Sequence, residues 1–382
     1  MRSAFVLLVA CSAASRAQPA PPDDPLPAPP SPALSTNAVI VQRIGDPTSA
    51  GKVLAARLVA GVEGAVATDR PTYARQDQHV TLYAAIAAEV AGAHVWFSDA
   101  PGLKIAGKTV TARPLAQAPL VELRWNRIEP AEANISNGEA STFHFQAIDY
   151  RATPIDAGGR TSIVADVRPT LTPDHGNGVG TMRYQLVALQ GDRVIASPGP
   201  EARRGKGSGG VTDAVMRVSI RRDDTYLGYL TEMFNQPYIW ASAGLSDTSH
   251  QSEHLEGSDC ADFVVYGARR MGAKISYTWT GGLPGVTKLL GGGTRGDDGI
   301  YRDAEGRPVT FTRSGDLVLF PRHVGVLTVD RGTLGVLDDH DLMMHTLFDS
   351  PKEQPIADSG YADRPLEVRR FTRDLRPGRS RD

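Results

Sequence analysis

Apolar and polar residues alternate in short runs between residues 37 and 222. Examples are residues 79–83, 94–97 and 141–145, and glycine, proline, asparagine and aspartate separate the runs. A period of two is typical of strands that bury one face, and the separating residues favour turns. We therefore predict an all-β N-terminal region that forms one or two sandwich or barrel modules.

A helix is predicted within residues 257–272, where apolar residues recur at helical spacing and Gly272 is placed to end the helix. Ser258 or Asp259 can cap its N-terminus. Cys260 would then lie in the first turn. The residues that would share one helical face are Phe263, Val264 and Met271.

Apolar runs typical of strands follow this helix at residues 317–320, 323–329 and 342–348. Residues 330–332 have the composition of a hairpin turn. Neighbouring strands would bring His323 and His345 side by side.

Cys260 is one of only two cysteines among 382 residues. The partial positive charge at a helix N-terminus favours the thiolate, which is the reactive form. A reactive cysteine also needs a base, and His323 can serve as that base, with His345 as the third member of a triad. His340, in the polar turn at residues 337–341, is the alternative third member. Without such partners, a cysteine at a helix start is usually a small buried apolar residue.

Four short motifs occur in the C-terminal part of the chain. They are Pro-Tyr-x-Trp at residues 237–240, Asp-Cys at 259–260, Gly-Asp-Leu-Val-x-Phe at 315–320 leading into His-Val-Gly at 323–325, and Met-x-His at 343–345. Motifs of this kind occur in the same order in the NlpC family of papain-like cell-wall cysteine peptidases, and residues 223–350 resemble that family. The resemblance implies an α+β papain-like (NlpC-type) catalytic domain after the all-β region.

The resemblance implies a role for each matching residue. Cys260 would be the nucleophile, His323 the base and His345 the residue that orients the imidazole. Tyr238 would stabilise the oxyanion beside the Cys260 amide. The implied activity is a thiol hydrolase that cleaves amide bonds in stem or cross-link peptides of peptidoglycan, with no cofactor and no metal. The residues expected to contact substrate are Asp259 and Trp240.

The chain departs from the family at Ala261 and Asp262, where serine and glycine are usual. A glycine-rich insertion at residues 273–314 would rim the cleft. Two alternative functions therefore stay open. One is an amidase or acyltransferase of the same fold that acts on another amide or lipid, and the other is a catalytically silent cell-wall binding protein.

His250 and His254 form a competing motif, because residues 250–254 match the H-x-x-E-H pattern of inverted zinc peptidases. Two histidines one helical turn apart can bind zinc. The flanking residues lack the apolar periodicity of a buried helix, and no third ligand motif follows. The sequence favours a solvated loop near the cleft, with no metal.

Charge is balanced, with 41 basic and 43 acidic residues and a net charge of −2. A nucleic-acid partner is not expected, because the basic excess that such binding requires is absent from the sequence. The one basic bias is an Arg-rich segment at residues 361–382, which predicts a solvated tail or a contact with anionic polymer or lipid.

The first 17 residues have the pattern of an export signal. Residues 8–11 resemble the bacterial lipobox, which would acylate Cys11, and cleavage after Ala17 without lipidation is the alternative. Residues 18–36 are rich in proline and alanine and predict an extended tether. The protein is therefore expected in the periplasm or the outer membrane as a lipoprotein, or secreted. Its expected partners are peptidoglycan peptides and, through the anchor, the membrane.

A short N-capped helix at residues 223–234 is predicted to open the catalytic domain, which places a boundary near Arg222. The two cysteines lie in such different contexts that no disulfide is expected. The predicted order is a signal segment at 1–17, a tether at 18–36, an all-β region at 37–222, a cysteine hydrolase domain at 223–360 and an Arg-rich tail at 361–382.

Overall fold

The computed structural model describes residues 42–139, 142–373 and 375. All of them belong to one compact unit, Pro32–Asp382. The signal segment, Cys11, the tether and most of residues 374–382 lie outside the described residues. In the part of the chain that is described, no helix has the length and apolar character needed to cross a membrane.

The α+β papain-like fold expected for residues 223–360 is wrong, because the structure is mostly β, with 42% strand and 12% helix. Several of its sheets are curled or barrel-like. Short motifs predicted individual helices and strands, but a motif specifies only its own element and not the layers around it. The α-helices in the described residues are α1 (Tyr226–Leu230) and α2 (Cys260–Arg270). Short 3-10 helices occur at Leu115–Gln117, Thr231–Met233, Asp247–Ser249, Gln251–His254, Thr280–Gly285 and Ile356–Ser359.

The described residues form 26 strands, numbered β1 to β26 in chain order. The first sheet has seven strands. Their spatial order is β1 (Arg43–Ile44), β10 (Val121–Pro130), β16 (Gly180–Gln190), β18 (Met216–Arg221) and β4 (Thr72–Arg75), with β14 (Tyr150–Ile155) beside β10 and β17 (Arg193–Ala196) beside β16.

The second sheet has eight strands and packs against the first. Leu58 and Ile86 from this sheet share a buried cluster with Trp125 and Leu186 from the first. Its order is β8 (Lys108–Val110), β7 (Leu103–Ile105), β3 (Ala67–Thr68), β2 (Lys52–Val62), β5 (Val80–Val90), β6 (Ala93–Ser98) and β9 (Ala112–Arg113), with β15 (Ser162–Val164) beside β5.

The third sheet has seven strands and carries the C-terminal part of the chain. Two small sheets complete the described structure, one of β11 (Asn134–Ser136) with β19 (Tyr238–Trp240) and one of β12 (Gly138–Glu139) with β13 (Thr142–Phe143). The third sheet's order is β21 (Tyr301–Arg302), β20 (Thr287–Arg295), β26 (Leu366–Phe371), β22 (Leu317–Phe320), β23 (His323–Val329), β24 (Leu342–His345) and β25 (Lys352–Pro355).

Strand β26 corrects the prediction of a solvated Arg-rich tail. It pairs with β20 on one side and β22 on the other. Leu366 and Val368 are buried, while the Arg370 guanidinium binds both carboxylate oxygens of Asp316 at 2.6 Å. The arginines of this strand are compatible with a sheet because a buried carboxylate partner satisfies one of them.

The predicted boundary near Arg222 does not divide the compact unit. Strand β11 pairs in parallel with β19, which lies on the other side of that position. Met182 of the first sheet and Val264 of α2 belong to the same buried cluster. The β-rich N-terminal part and the site-bearing C-terminal part are therefore packed together.

Two connections in the third sheet also differ from expectation. The insertion at residues 273–314 supplies β20 and β21 rather than loops alone. Strands β23 and β24 are joined by residues 330–341 instead of a tight hairpin, and Asp338 and Asp341 accept backbone hydrogen bonds within that connection.

Candidate active site

Helix α2 begins at Cys260 because Asp259 caps it. The Asp259 side chain accepts hydrogen bonds from the amides of Ala261 and Asp262, each at 2.9 Å. The predicted helix, its aspartate cap and the position of Cys260 in the first turn are confirmed. The carboxylate that was expected to contact substrate is engaged by the helix N-terminus.

The thiol of Cys260 lies against strand β23. Cys260 belongs to the same buried cluster as Val324, and Val324 follows His323 directly in the chain. Cys260 is a free cysteine and is only 6% exposed. Helix α2 and strand β23 therefore bring the thiol and the imidazole into the same buried region.

His323 and His345 are hydrogen-bonded through their rings. Nε2 of His323 lies 2.9 Å from Nδ1 of His345, because β23 and β24 are antiparallel neighbours as predicted. Both side chains are buried. Nδ1 of His323 has no hydrogen-bond partner among the described residues. The tautomer with its proton on Nε2 leaves this Nδ1 free to accept a proton.

Two aromatic rings hold the imidazole of His323 in place. Tyr361 stacks on it with a centroid distance of 4.7 Å and an interplanar angle of 26°. Phe320 lies on it with a centroid distance of 6.1 Å and an angle of 20°. Tyr361 is not among the predicted site residues, because its segment was predicted to be a tail and only the folded chain brings it to the site.

Tyr238 is buried beside the thiol, whereas Trp240 is 45% exposed. Burial raises the pKa of Tyr238, and negative charge on Asp259 or on a Cys260 thiolate raises it further. The phenol therefore remains protonated and can donate a hydrogen bond near Cys260. Trp240 lies two residues further along β19 and presents an aromatic surface to solvent.

The thiol and the imidazole are both neutral in this site. Burial, followed by the charge of Asp259, raises the pKa of the Cys260 thiol. Burial and the neighbouring His345 lower the pKa of His323 well below its usual value. The helix N-terminus was expected to favour the thiolate, but its contribution is about 1 kcal/mol, whereas full burial can shift a pKa by several units.

Alkylation of Cys260 should therefore accelerate steadily with pH. A raised thiol pKa means that the thiolate fraction grows about tenfold per pH unit through the neutral and alkaline range. The rate constant for iodoacetamide, measured from about pH 5 to about pH 9 in a Cys11→Ser background, should follow that slope. A rate that is constant between about pH 5 and about pH 8 would instead reveal a stable thiolate–imidazolium pair.

His340 lies away from His323. Its side chain is 73% exposed and its Nδ1 lies 3.0 Å from Asp339 Oδ1. His345, in contrast, is 1% exposed and contacts His323 directly. The geometry therefore pairs His323 with His345 and not with His340.

If His323 is the base of the predicted thiol hydrolase, replacing His345 should lower kcat for amide cleavage while KM changes little. His345→Ala removes the acceptor for Nε2 of His323, and we expect kcat to fall by about 10²–10⁴-fold. His345→Asn retains a hydrogen-bond acceptor and should recover most of that loss. His340→Ala is the matched control and should leave kcat unchanged. Equal losses in the alanine and asparagine variants would contradict a role in orienting the imidazole.

The zinc motif does not assemble into a ligand set. His250 Nε2 lies 3.3 Å from Asp262 Oδ2, and the His250 ring stacks on Tyr277 at 3.7 Å. His254 Nδ1 instead lies 3.7 Å from Asp213 Oδ2. Among the described residues, the one group with metal-ligand spacing lies elsewhere, at residues 338–340.

Asp262 is part of the structure beneath the site. Its Oδ2 accepts a 2.5 Å hydrogen bond from Ser242, and Ser242 Oγ in turn accepts from the Asp259 amide at 2.9 Å. Burial raises the pKa of Asp262 to about 7. Asp262 therefore fixes the segment before Cys260 rather than pointing at substrate.

Within the described residues, the site contains a thiol, an imidazole with one unpaired ring nitrogen and a protonated phenol. These groups come from α2, β23 and β19, with β24 supporting the imidazole. They are the groups that nucleophilic attack, proton transfer and oxyanion stabilisation require. Comparisons of the chain with protein-family models, curated proteins and solved structures find no match.

Proposed function

We propose that this protein is a thiol hydrolase that cleaves amide bonds in peptidoglycan peptides through Cys260, His323 and His345. One observation carries the proposal. His345 engages one ring nitrogen of His323, while the other nitrogen is buried without a partner among the described residues. Cys260 packs in the same buried cluster as Val324, the residue that follows His323 on β23. A buried polar atom without a partner lowers the stability of the fold, so its presence calls for an explanation. A role in accepting the thiol proton provides one.

The first half of the reaction forms an acyl-enzyme. Nδ1 of His323 takes the proton of the Cys260 thiol as the sulphur attacks the carbonyl carbon of the amide. The Tyr238 hydroxyl and the Cys260 amide donate hydrogen bonds to the oxyanion. The amide nitrogen then leaves as an amine, which carries away the proton that His323 had accepted.

Water completes the reaction. His323 accepts a proton from a water molecule that attacks the thioester, and the carboxylic acid product leaves with the thiol restored. A neutral thiol and a neutral imidazole are a suitable starting state, because the proton moves only when substrate is attacked. The peptidoglycan substrate is proposed from the four short motifs, and the chemistry is proposed from the site.

The burial of Cys260 favours a second candidate, a cell-wall binding protein without catalytic activity. The thiol is 6% exposed, and burial raises its pKa. A protein of this kind would retain sacculi without producing new fragments.

Digestion of purified muropeptides and intact sacculi by the full chain, followed by mass spectrometry, tests the proposal. We expect new fragments whose masses identify the hydrolysed amide. Iodoacetamide should stop their formation and a chelator should not. Fragments that disappear only with the chelator would contradict a thiol mechanism. Retention on sacculi without fragments would favour the binding protein.

A further inference from the structure

Phe348 is an exposed aromatic residue in an unfavourable backbone conformation. Its side chain is 65% exposed and its φ is 53°, in the left-handed region that aromatic residues rarely adopt. It lies three residues after His345 in the chain. Strained residues of this kind cluster at ligand-binding positions, because folding alone does not favour them.

Neighbouring polar groups hold the turn that carries Phe348. Asp349 accepts hydrogen bonds from the Ser350 amide at 2.8 Å and from Lys352 Nζ at 3.1 Å. Its Oδ2 also lies 2.9 Å from His175 Nε2. The Thr346 hydroxyl donates to the Asp349 carbonyl at 2.8 Å. The surrounding contacts thus fix the backbone turn that presents the exposed ring at the surface.

The ring of Phe348 reaches the candidate active site through Tyr238. The two rings pack edge to face, with centroids 5.5 Å apart and an interplanar angle of 68°. Tyr238 is 4% exposed, and a thiolate at Cys260 would raise the pKa of its phenol. Phe348 is therefore an exposed apolar ring in direct contact with the phenol of the candidate active site.

We infer that Phe348 forms an apolar subsite, which binds an apolar side chain adjacent to the scissile amide. The inference rests on the proposed function for the identity of the reacting bond. An exposed aromatic face gains free energy when an apolar group covers it, and a fixed backbone turn loses little conformational freedom in doing so. The substrate class is thus narrowed to peptides with an apolar residue beside the amide.

Selective alkylation of Cys260 tests the subsite without a natural substrate. The probes are N-benzylmaleimide and N-methylmaleimide, and the protein is the full chain with Cys11→Ser. The rate constant for the benzyl probe is divided by that for the methyl probe. Dividing this ratio by the same ratio measured with N-acetylcysteine corrects for the intrinsic reactivity of the two maleimides. We expect a preference for the benzyl probe of about tenfold, the selectivity typical of one apolar contact.

Phe348→Gly should abolish that preference without unfolding the protein. Glycine adopts a positive φ at little cost, so the melting temperature should stay the same or rise. Phe348→Leu should retain part of the preference, because leucine keeps an apolar side chain. Leu334→Gly is the matched control, because it removes an apolar side chain that is 78% exposed in the connection at the far end of β23 from His323.

An unchanged ratio in Phe348→Gly would overturn the subsite even if muropeptides are cleaved. A lost preference in that variant, together with no cleavage of muropeptides, would support the subsite and reject the proposed substrate. A wild-type ratio equal to that of N-acetylcysteine would also overturn the inference.

Discussion

Replacing Cys260 with alanine is expected to abolish amide cleavage. The sulphur is the nucleophile of the proposed mechanism, and loss of such a group typically lowers kcat by about 10⁴–10⁶-fold. Cys260→Ser should be almost as inactive, because the pKa of an alcohol is far above that of a thiol and His323 cannot take its proton as readily. Initial rates of fragment release from muropeptides measure the effect.

The control for Cys260→Ala is its stability. Alanine removes only a sulphur atom from a helix whose cap, Asp259, is unchanged, so the melting temperature should shift by only a few degrees. Cys11→Ser, which alters the other cysteine of the chain, should leave the rate of fragment release unchanged. Cleavage that survives in Cys260→Ala, with the protein folded, would rule out Cys260 as the nucleophile.

Local patterns predicted the elements that carry the site. The aspartate cap, the spacing of Phe263 and Val264 and the apolar runs around His323 and His345 each act within a few residues, so helix α2 and strands β22 to β24 could be placed from the sequence. Their packing could not, since it depends on contacts between distant segments. The papain-like fold was wrong for that reason.

The Arg-rich segment shows how composition can mask a strand. Charged residues dominate residues 361–382, and that bias predicted a solvated tail. Strand β26 forms because Leu366, Val368 and Phe371 are buried and Asp316 neutralises Arg370. A carboxylate more than fifty residues away in the chain decided the outcome, and no local pattern contains that information.

The site residues that the sequence did not predict also depend on contacts between distant segments. Tyr361 contacts His323 only through the fold, and the backbone angle of Phe348 depends on the turn around Asp349. The sequence also did not predict that the Cys260 thiol is protonated. A helix N-terminus is visible in the sequence, but the burial that raises the pKa of Cys260 is not.

Removing the Glu232 carboxylate should cause a large loss of folding stability. Glu232 is fully buried in the 3-10 helix that follows α1. Its Oε2 lies 2.9 Å from Arg270 Nε and accepts a 2.5 Å hydrogen bond from the Tyr266 hydroxyl, both on α2. Its Oε1 lies 3.4 Å from Nη1 of Arg221, at the end of β18. One carboxylate therefore connects the N-terminal sheet to the helix that begins with Cys260.

Glu232→Ala should lower the free energy of unfolding by about 3–5 kcal/mol, because breaking a buried ion pair leaves positive charge in the interior without this carboxylate. Urea denaturation of both proteins measures the difference. Glu305→Ala is the matched control, since that side chain is 65% exposed and should contribute less than about 0.5 kcal/mol. A loss below about 1 kcal/mol for Glu232→Ala would mean that the charge network adds little beyond packing. A large loss accompanied by faster alkylation of Cys260 would show that this network also keeps the thiol buried.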